Sequence, residues 1–297
     1  MVFARLRLAA RNLQCARPDL GRPPIFAGPS LGFASLRVGR PRSASLRSGA
    51  PVYCRAVSDH LIFISGASSG IGLAMARAVP FAGARVIDIS RRGAAGVEHF
   101  PADLAEPDEW RRVADLFAAE MKGFAGERVV FVHSAGTLEP IGFAGEVDAE
   151  SYAREVLLDA AAPQVLGDAF LRAASGTEAP CTLLFISSGA ATNVYEGWSA
   201  YGAGKAAVDQ WVRTAGAEQK RRGGRCRVLA VAPGVIETAM QEQIRAMTEE
   251  AFPVVERFRE LHRAGALRDP ADAARDLWGL VVKDTFPNGA VLDLREG

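Results

Sequence analysis

Short apolar runs alternate along the chain with longer stretches whose apolar positions recur every three or four residues. Leu61-Ile-Phe-Ile-Ser65, Arg85-Val-Ile-Asp-Ile-Ser90, Arg128–His133, Cys181–Gly189 and Arg225–Val231 are rich in Val, Ile, Leu and Phe and almost free of polar alternation before their ends. Runs of that kind predict strands buried on both faces, as in a parallel sheet covered by helices. A shorter strand ends at Phe100-Pro-Ala-Asp103-Leu104, and a last one covers Ala290–Leu294. Helical spacing fills the gaps: Leu73 to Phe81, Pro107–Lys122, Ala149–Ala174, the stretch through Tyr201 to Arg222, the region Thr238–Arg263, and a last helix from Pro270. Strand and helix taking turns in this way predict an α/β fold, one doubly wound parallel sheet of about seven strands with helices on both faces. No internal repeat and no second globular domain interrupt the alternation.

Residues 1–56 do not share the pattern. They hold 10 of the chain's 35 Lys and Arg, all Arg, and one of its 34 acidic residues, Asp19. They are also rich in Ser, Pro, Gly and Ala, so they are expected to be disordered. Two origins fit: an organelle transit peptide, or upstream translation ahead of a true start near Val57. The second is favoured, because Ala, Arg, Gly and Pro are abundant throughout. It places the protein in the cytoplasm; a transit peptide would place it in an organelle matrix. Residues 57–297 keep 25 basic against 33 acidic residues, a net of −8. A body that acidic is a poor match for nucleic acid. No run of 18 apolar residues predicts a membrane span. Cys15, Cys54, Cys181 and Cys226 lack any Cys-x-x-Cys or Cys/His spacing, so reduced thiols and no metal site are expected.

Candidate chemistry sits where the apolar runs end. Gly66-Ala-Ser68-Ser69-Gly70-Ile71-Gly72 joins the first strand to a helix. Glycines there let the backbone approach a pyrophosphate, and the helix N-terminus meets it with free N–H groups. The second strand ends at Ser90-Arg91-Arg92, the position that reads the adenosine ribose. Arg accepts a 2′-phosphate where an acid would bond the 2′-hydroxyl, so NADP(H) is expected rather than NAD. Asp88 is the competing candidate, placed two residues too early to sit at the strand tip. Asp103 could accept from an adenine amino group, with Leu104 beside it. Tyr201 and Lys205 lie four apart on a predicted helix and so share a face. An ammonium beside a phenol lowers its pKa and makes proton transfer to a substrate oxygen feasible near neutrality.

Together these motifs resemble the short-chain dehydrogenase/reductase family over nearly all of residues 60–296. The resemblance rests on Gly66-x-x-x-Gly70-Ile-Gly72, Asp103, Ser188 thirteen residues before Tyr201, Tyr201-x-x-x-Lys205, and Pro233-Gly234-Val-Ile236-Glu-Thr238. It implies a Rossmann-like fold, a homodimer or homotetramer, and a nicotinamide cofactor whose carboxamide is held by the segment Pro233 to Thr238, with Ala135 and Gly136 also against it. Ser188 would then bond the substrate carbonyl, Tyr201 would supply the proton, and Lys205 would hold the ribose and tune the phenol. Ser187 is the alternative serine, disfavoured only by spacing. Two departures stand out. His133-Ser134-Ala135-Gly136 replaces the family's Asn-Asn-Ala-Gly, with His133 read as structural, and Asp159 occupies the position of the Asn in the family's proton relay. Within the family the segments Ser187–Lys205 and Ala232–Gln241 are most similar to sepiapterin reductases and benzil reductases. That likeness implies NADPH-dependent reduction of one carbonyl of a vicinal diketone. Leu138, Ala190, Tyr195, Trp198, Val235, Met240 and Ile244 are the expected substrate pocket. The alternatives are an NADP(H)-dependent dehydrogenase of 3-oxoacyl or sugar substrates, and a non-catalytic NADP(H)-sensing protein.

Overall fold

A computed structural model describes residues 58–295; the expectations for residues 1–56, with Cys15 and Cys54, lie outside them. Seven strands, β1 (His60–Ser65), β2 (Arg85–Ser90), β3 (Glu98–Pro101), β4 (Arg128–His133), β5 (Cys181–Ile186), β6 (Cys226–Ala232) and β7 (Ala290–Asp293), form one sheet in the order β3-β2-β1-β4-β5-β6-β7. Every neighbouring pair is parallel. The chain winds outward from β1 through β2 to β3, returns to β4 and then winds the other way. The order therefore reverses between β1 and β4, and a ligand crevice opens where strand ends diverge at such a point.

The central strands are apolar at every position because both faces are covered. Leu61, Phe63, Val129, Phe131, Leu183 and Phe185 point to one side. There they meet α2 (Pro107–Met121), α4 (Ala162–Ala174) and α5 (Ser199–Arg222). Phe63, Phe117 and Phe170 pack edge to face, with ring centroids 4.9–6.5 Å apart. Ile62, Ile64, Val130, Val132, Leu184 and Leu229 point the other way, against α1 (Gly70–Arg77) and α8 (Pro270–Lys283). On that side Trp278 donates to the carbonyl of Met75, 2.9 Å away, which locks α8 onto α1.

The long helix predicted over Ala149–Ala174 is not uniform. It runs as α3 (Ala149–Val156), passes through a π-turn at Leu157–Ala161, and resumes as α4. No glycine marks the break, and Pro163 falls in the first turn of α4, where its missing N–H costs nothing. The π-turn carries Asp159, and π-turns inside α-helices often mark working positions. The region Thr238–Arg263 resolves into α6 (Ala239–Ala246) and α7 (Val255–Arg263), which close over the carboxyl ends of the strands with Trp198, Phe252 and Phe258 packed beneath them. Among the described residues no helix is long and apolar enough to cross a membrane.

Candidate active site

The crevice at the sheet's turning point begins with the loop after β1. Gly66 has φ +71°, and a Cβ there would come within 2.8 Å of the Ala135 backbone, so only glycine lets this loop lie against the exit of β4. At Gly72 an added Cβ would stand 2.4 Å from the Gly66 carbonyl, which keeps α1 tight under the loop. The N-cap residue of α1, Ser69, makes no side-chain cap, and no acidic residue occupies the first turn. The helix therefore presents its positive end and its unspent N–H groups to the crevice. That arrangement fits a pyrophosphate.

Ser65 anchors the same corner from within. Its hydroxyl accepts from the N–H groups of Ser134 (3.1 Å) and Ala135 (3.2 Å) and lies 3.1 Å from His133 Nδ1. It thereby ties β1 to β4 at the corner where Asn ties are absent. His133 is buried, its ring stacked on Phe185, and burial with the nearby Lys205 charge pushes its pKa down to about 3, so the ring is a neutral packing element. Ser65→Ala would leave the part-buried Ala135 N–H without its acceptor, while the Ser134 N–H keeps the Ser65 carbonyl, and is expected to cost about 1–3 kcal/mol in urea unfolding. A cost below a few tenths of a kcal/mol would mean that water or a shifted backbone replaces the hydroxyl.

At the exit of β2 the two candidate ribose-facing groups have different surroundings. Asp88 is wholly buried; it accepts from the Ala67 N–H (3.2 Å) and from the Ser90 hydroxyl (3.0 Å). It braces the glycine-rich loop against β2 and is spent there. Ser90 in turn accepts from the Gly93 N–H and shapes the turn that carries Arg91 and Arg92. Both arginines line the crevice and are exposed, and among the described residues neither has an acidic partner. Asp103 also lines it, but its carboxylate is shared with Arg154 of α3 and with the Ala105 N–H.

The same continuous crevice reaches the predicted chemistry. Gly66, Arg91, Ser188, Tyr201, Lys205 and Thr238 all line it, and so does every other cofactor or pocket position named from the sequence except Gly72. Gly72 acts from beneath the loop, and Asp159 lies buried behind the cleft rather than on its wall. The two adjacent serines have separate employment. Ser187 donates to Asp209 at 2.6 Å inside the protein, whereas Ser188 lines the crevice with Tyr201 and accepts from the Ala190 N–H. Lys205 Nζ lies 5.5 Å from the Tyr201 ring centroid, 3.6 Å from Asp159 Oδ2 and 3.4 Å from the Ile186 carbonyl. Asp159 is further fixed by the Thr137 N–H at 2.9 Å.

Burial sets the electrostatics. It lifts the Tyr201 phenol above its ordinary value, and Lys205 and Ser188 pull it back only in part. The net effect is upward, opposite to the lowering expected from the Tyr/Lys spacing alone, because the helix face is closed to water. Burial alone would lower the Lys205 ammonium, but Asp159 and Tyr201 outweigh it and keep the group charged. Asp159 is raised by burial against the pull of Lys205. A protonated phenol beside a fixed ammonium is a proton donor held ready.

Beyond Tyr201 the cleft has an aromatic wall. Trp198 stacks on Phe252 (centroids 4.6 Å), and packs against Tyr195 (5.1 Å), Tyr201 (5.4 Å) and Phe258 (5.5 Å). The Trp198 Nε1–H is buried with no partner among the described residues, as is Gln241 Oε1. Sequence reasoning missed Gln241, Phe258 and Arg295 as cleft residues. Arg295 follows directly on β7, so the rule that crevices form outside the carboxyl ends of strands could have found it. Phe258 and Gln241 carry no such signal.

A family model described as short chain dehydrogenase matches residues 60–249. A benzil reductase ((S)-benzoin forming) of Bacillus subtilis is 33% identical over 241 residues, covering 80% of this chain and 98% of its own. A benzil reductase ((S)-benzoin forming) of Saccharomyces cerevisiae is 30% identical over 242 residues, covering 75% and 90%. Among solved structures, the KRED1-Pglu enzyme superposes with a TM-score of 0.64 at 26% identity, covering 78% of this chain and 99% of that one.

Proposed function

The chain belongs to the short-chain dehydrogenase family, an oxidoreductase acting on CH–OH/C=O groups with a nicotinamide cofactor, and from that premise we propose that it is an NADPH-dependent reductase of vicinal diketones. The observation that carries the reading is one crevice that holds the phosphate-fitting loop, Arg91 and Arg92, which have no acidic partner among the described residues, and the Ser188, Tyr201 and Lys205 side chains. The dinucleotide, when bound, supplies the hydride. The protein's own groups do the rest. The α1 N-terminus and the glycine-rich loop hold the pyrophosphate, and Arg91 and Arg92 take the 2′-phosphate by charge-assisted hydrogen bonds. Ser188 bonds the substrate carbonyl oxygen, and Tyr201 protonates that oxygen as it gains negative charge. Lys205 stabilises the phenolate left behind.

The preference for a diketone follows from the wall opposite. A vicinal diketone offers two adjacent oxygens. Ser188 and Tyr201 take one, and the Trp198 ring, 5.4 Å from that of Tyr201, lines the crevice where the other would lie; its buried Nε1–H, without a partner among the described residues, becomes a donor to that oxygen once the ring turns toward the cleft. Tyr195, Trp198 and Phe258, backed by the buried Phe252, give aryl substituents an apolar surface to pack on. The relatives described as benzil reductases support the same substrate class.

NADPH oxidation by the full chain with benzil, simple aryl monoketones, 3-oxoacyl thioesters and ketoses tests the proposal. Benzil is expected to have the highest kcat/KM, by about tenfold or more over a monoketone, the value of roughly one well-placed hydrogen bond. Equal turnover of monoketones would remove Trp198 from substrate recognition. Turnover confined to 3-oxoacyl or sugar substrates would overturn the diketone reading and leave the reaction class standing.

A further inference from the structure

One titratable group beside the chemistry has no role in the scheme above. Glu155 is 1% exposed, lies on α3 four residues before Asp159, and has a buried Oε1 with no hydrogen-bond partner among the described residues. Asp159 Oδ2 is likewise buried without a hydrogen-bond partner, and meets Lys205 Nζ at 3.6 Å. Two carboxyls thus share one ammonium: the Asp159 side chain is wholly enclosed, and Glu155 reaches solvent only through the 1% of its surface left exposed. Such a set holds fewer negative charges than it has acids, because a second buried carboxylate has no counter-charge of its own.

We propose that Glu155 is the proton-holding group of this site, a positioning residue whose carboxyl stores, behind Asp159 and Lys205, the proton that restores Tyr201 after each turnover. The inference rests on the carbonyl-reductase reading. Its balance is simple. Hydride from the dinucleotide and the Tyr201 O–H proton make the alcohol, and a phenolate remains. Lys205 returns a proton to the phenolate, and the Glu155 carboxyl makes good the Lys205 proton by way of the Asp159 carboxylate. Glu155 then takes one proton from solvent. The net demand is one hydride and one solvent proton per carbonyl.

The groups around Glu155 agree with its being protonated at neutral pH. Burial first, then Asp159, pushes its carboxyl up to about 8, with Lys205 pulling the other way. Tyr201, Lys205 and Asp209 on α5 and His133 on β4 complete the titratable surroundings. His133 is neutral through this range, and Tyr201 titrates above its ordinary value, so neither supplies a break near pH 8. The two acids behave as a coupled pair.

The test uses the full chain with 13C-carboxyl-labelled Glu, its E155Q variant to assign the signal, and D159N to test the coupling. One Glu carboxyl is expected to titrate near pH 8, to vanish in E155Q, and to move toward the ordinary Glu range in D159N. The kcat for the best carbonyl substrate is expected to fall above that pH in the wild type. In E155Q it should be about tenfold lower and flat through the same range, with the break restored in part by E155D. Titration below pH 5, a signal unmoved by D159N, or a pH profile unchanged in E155Q would each overturn the proposal. The carboxyl titration is read without substrate, so a protein inactive on every carbonyl would refute the reductase reading and leave the buried acid pair measured independently. Thermal unfolding of E155Q serves as the folding control.

Discussion

Tyr201→Phe is expected to lower kcat/KM for carbonyl reduction by about 10²–10⁴-fold, the range that a positioned general acid contributes, while NADPH binding and fold are kept. The substitution removes one hydroxyl and nothing else of the ring, which packs edge-on against Trp198 at 5.4 Å. Ser188 still accepts from the Ala190 N–H, so the cleft has no cause to rearrange. Stability should therefore change by no more than about 1 kcal/mol. Stopped-flow NADPH oxidation with fluorescence titration of the cofactor separates the two quantities. Near-wild-type turnover would move the proton donor to Ser188 or to a water. Loss of cofactor binding along with turnover would mean that the phenol supports the nicotinamide end rather than the proton. The buried environment that raises the Tyr201 pKa also sets the direction: reduction starts from the protonated phenol, and a raised value keeps it protonated across the neutral range.

The sheet and its order of elements were legible because burial on both faces leaves a local mark. Leu61-Ile-Phe-Ile and Val129–Val132 have no polar position to confuse with a helix face. The glycine-rich loop was legible for a related reason, since strand, glycines and helix follow each other without a gap. The π-turn at Leu157–Ala161 left no such mark. It arises where α3 is drawn onto α5, with Gly204 closely packed against Asp159, and nothing in the local spacing records that contact. Glu155 was invisible for the same cause: a glutamate in an amphipathic helix reads as solvated until the tertiary packing buries it. The choice between Ser187 and Ser188 rested on spacing alone; the bond from Ser187 to Asp209 gives it a physical reason. Asp88, weighed as a ribose reader, instead belongs to the scaffold of the loop.

Replacing Arg91 and Arg92 together by Ala is expected to weaken NADPH binding about 10–100-fold and to leave NADH binding within about twofold. Both side chains stand exposed at the crevice, with no acidic partner among the described residues, on a turn held by the Ser90 hydroxyl. A dianionic 2′-phosphate would give the two guanidinium groups an acceptor, at roughly 1.5–3 kcal/mol for a hydrogen bond to a charged group. A free 2′-hydroxyl offers them almost nothing, which is why the loss should fall on one cofactor alone. The contact is exposed, so the preference for NADPH should also shrink as salt is raised from 0.05 to 0.5 M. Titrating both dinucleotides against the wild type and the double variant decides the matter. An equal loss for the two would mean that the arginines act on the pyrophosphate or the local fold. A wild-type preference for NADH would require a carboxylate at the ribose. Asp88 could provide one only by giving up its bonds to Ala67 and Ser90, and with them the shape of the loop that holds the pyrophosphate.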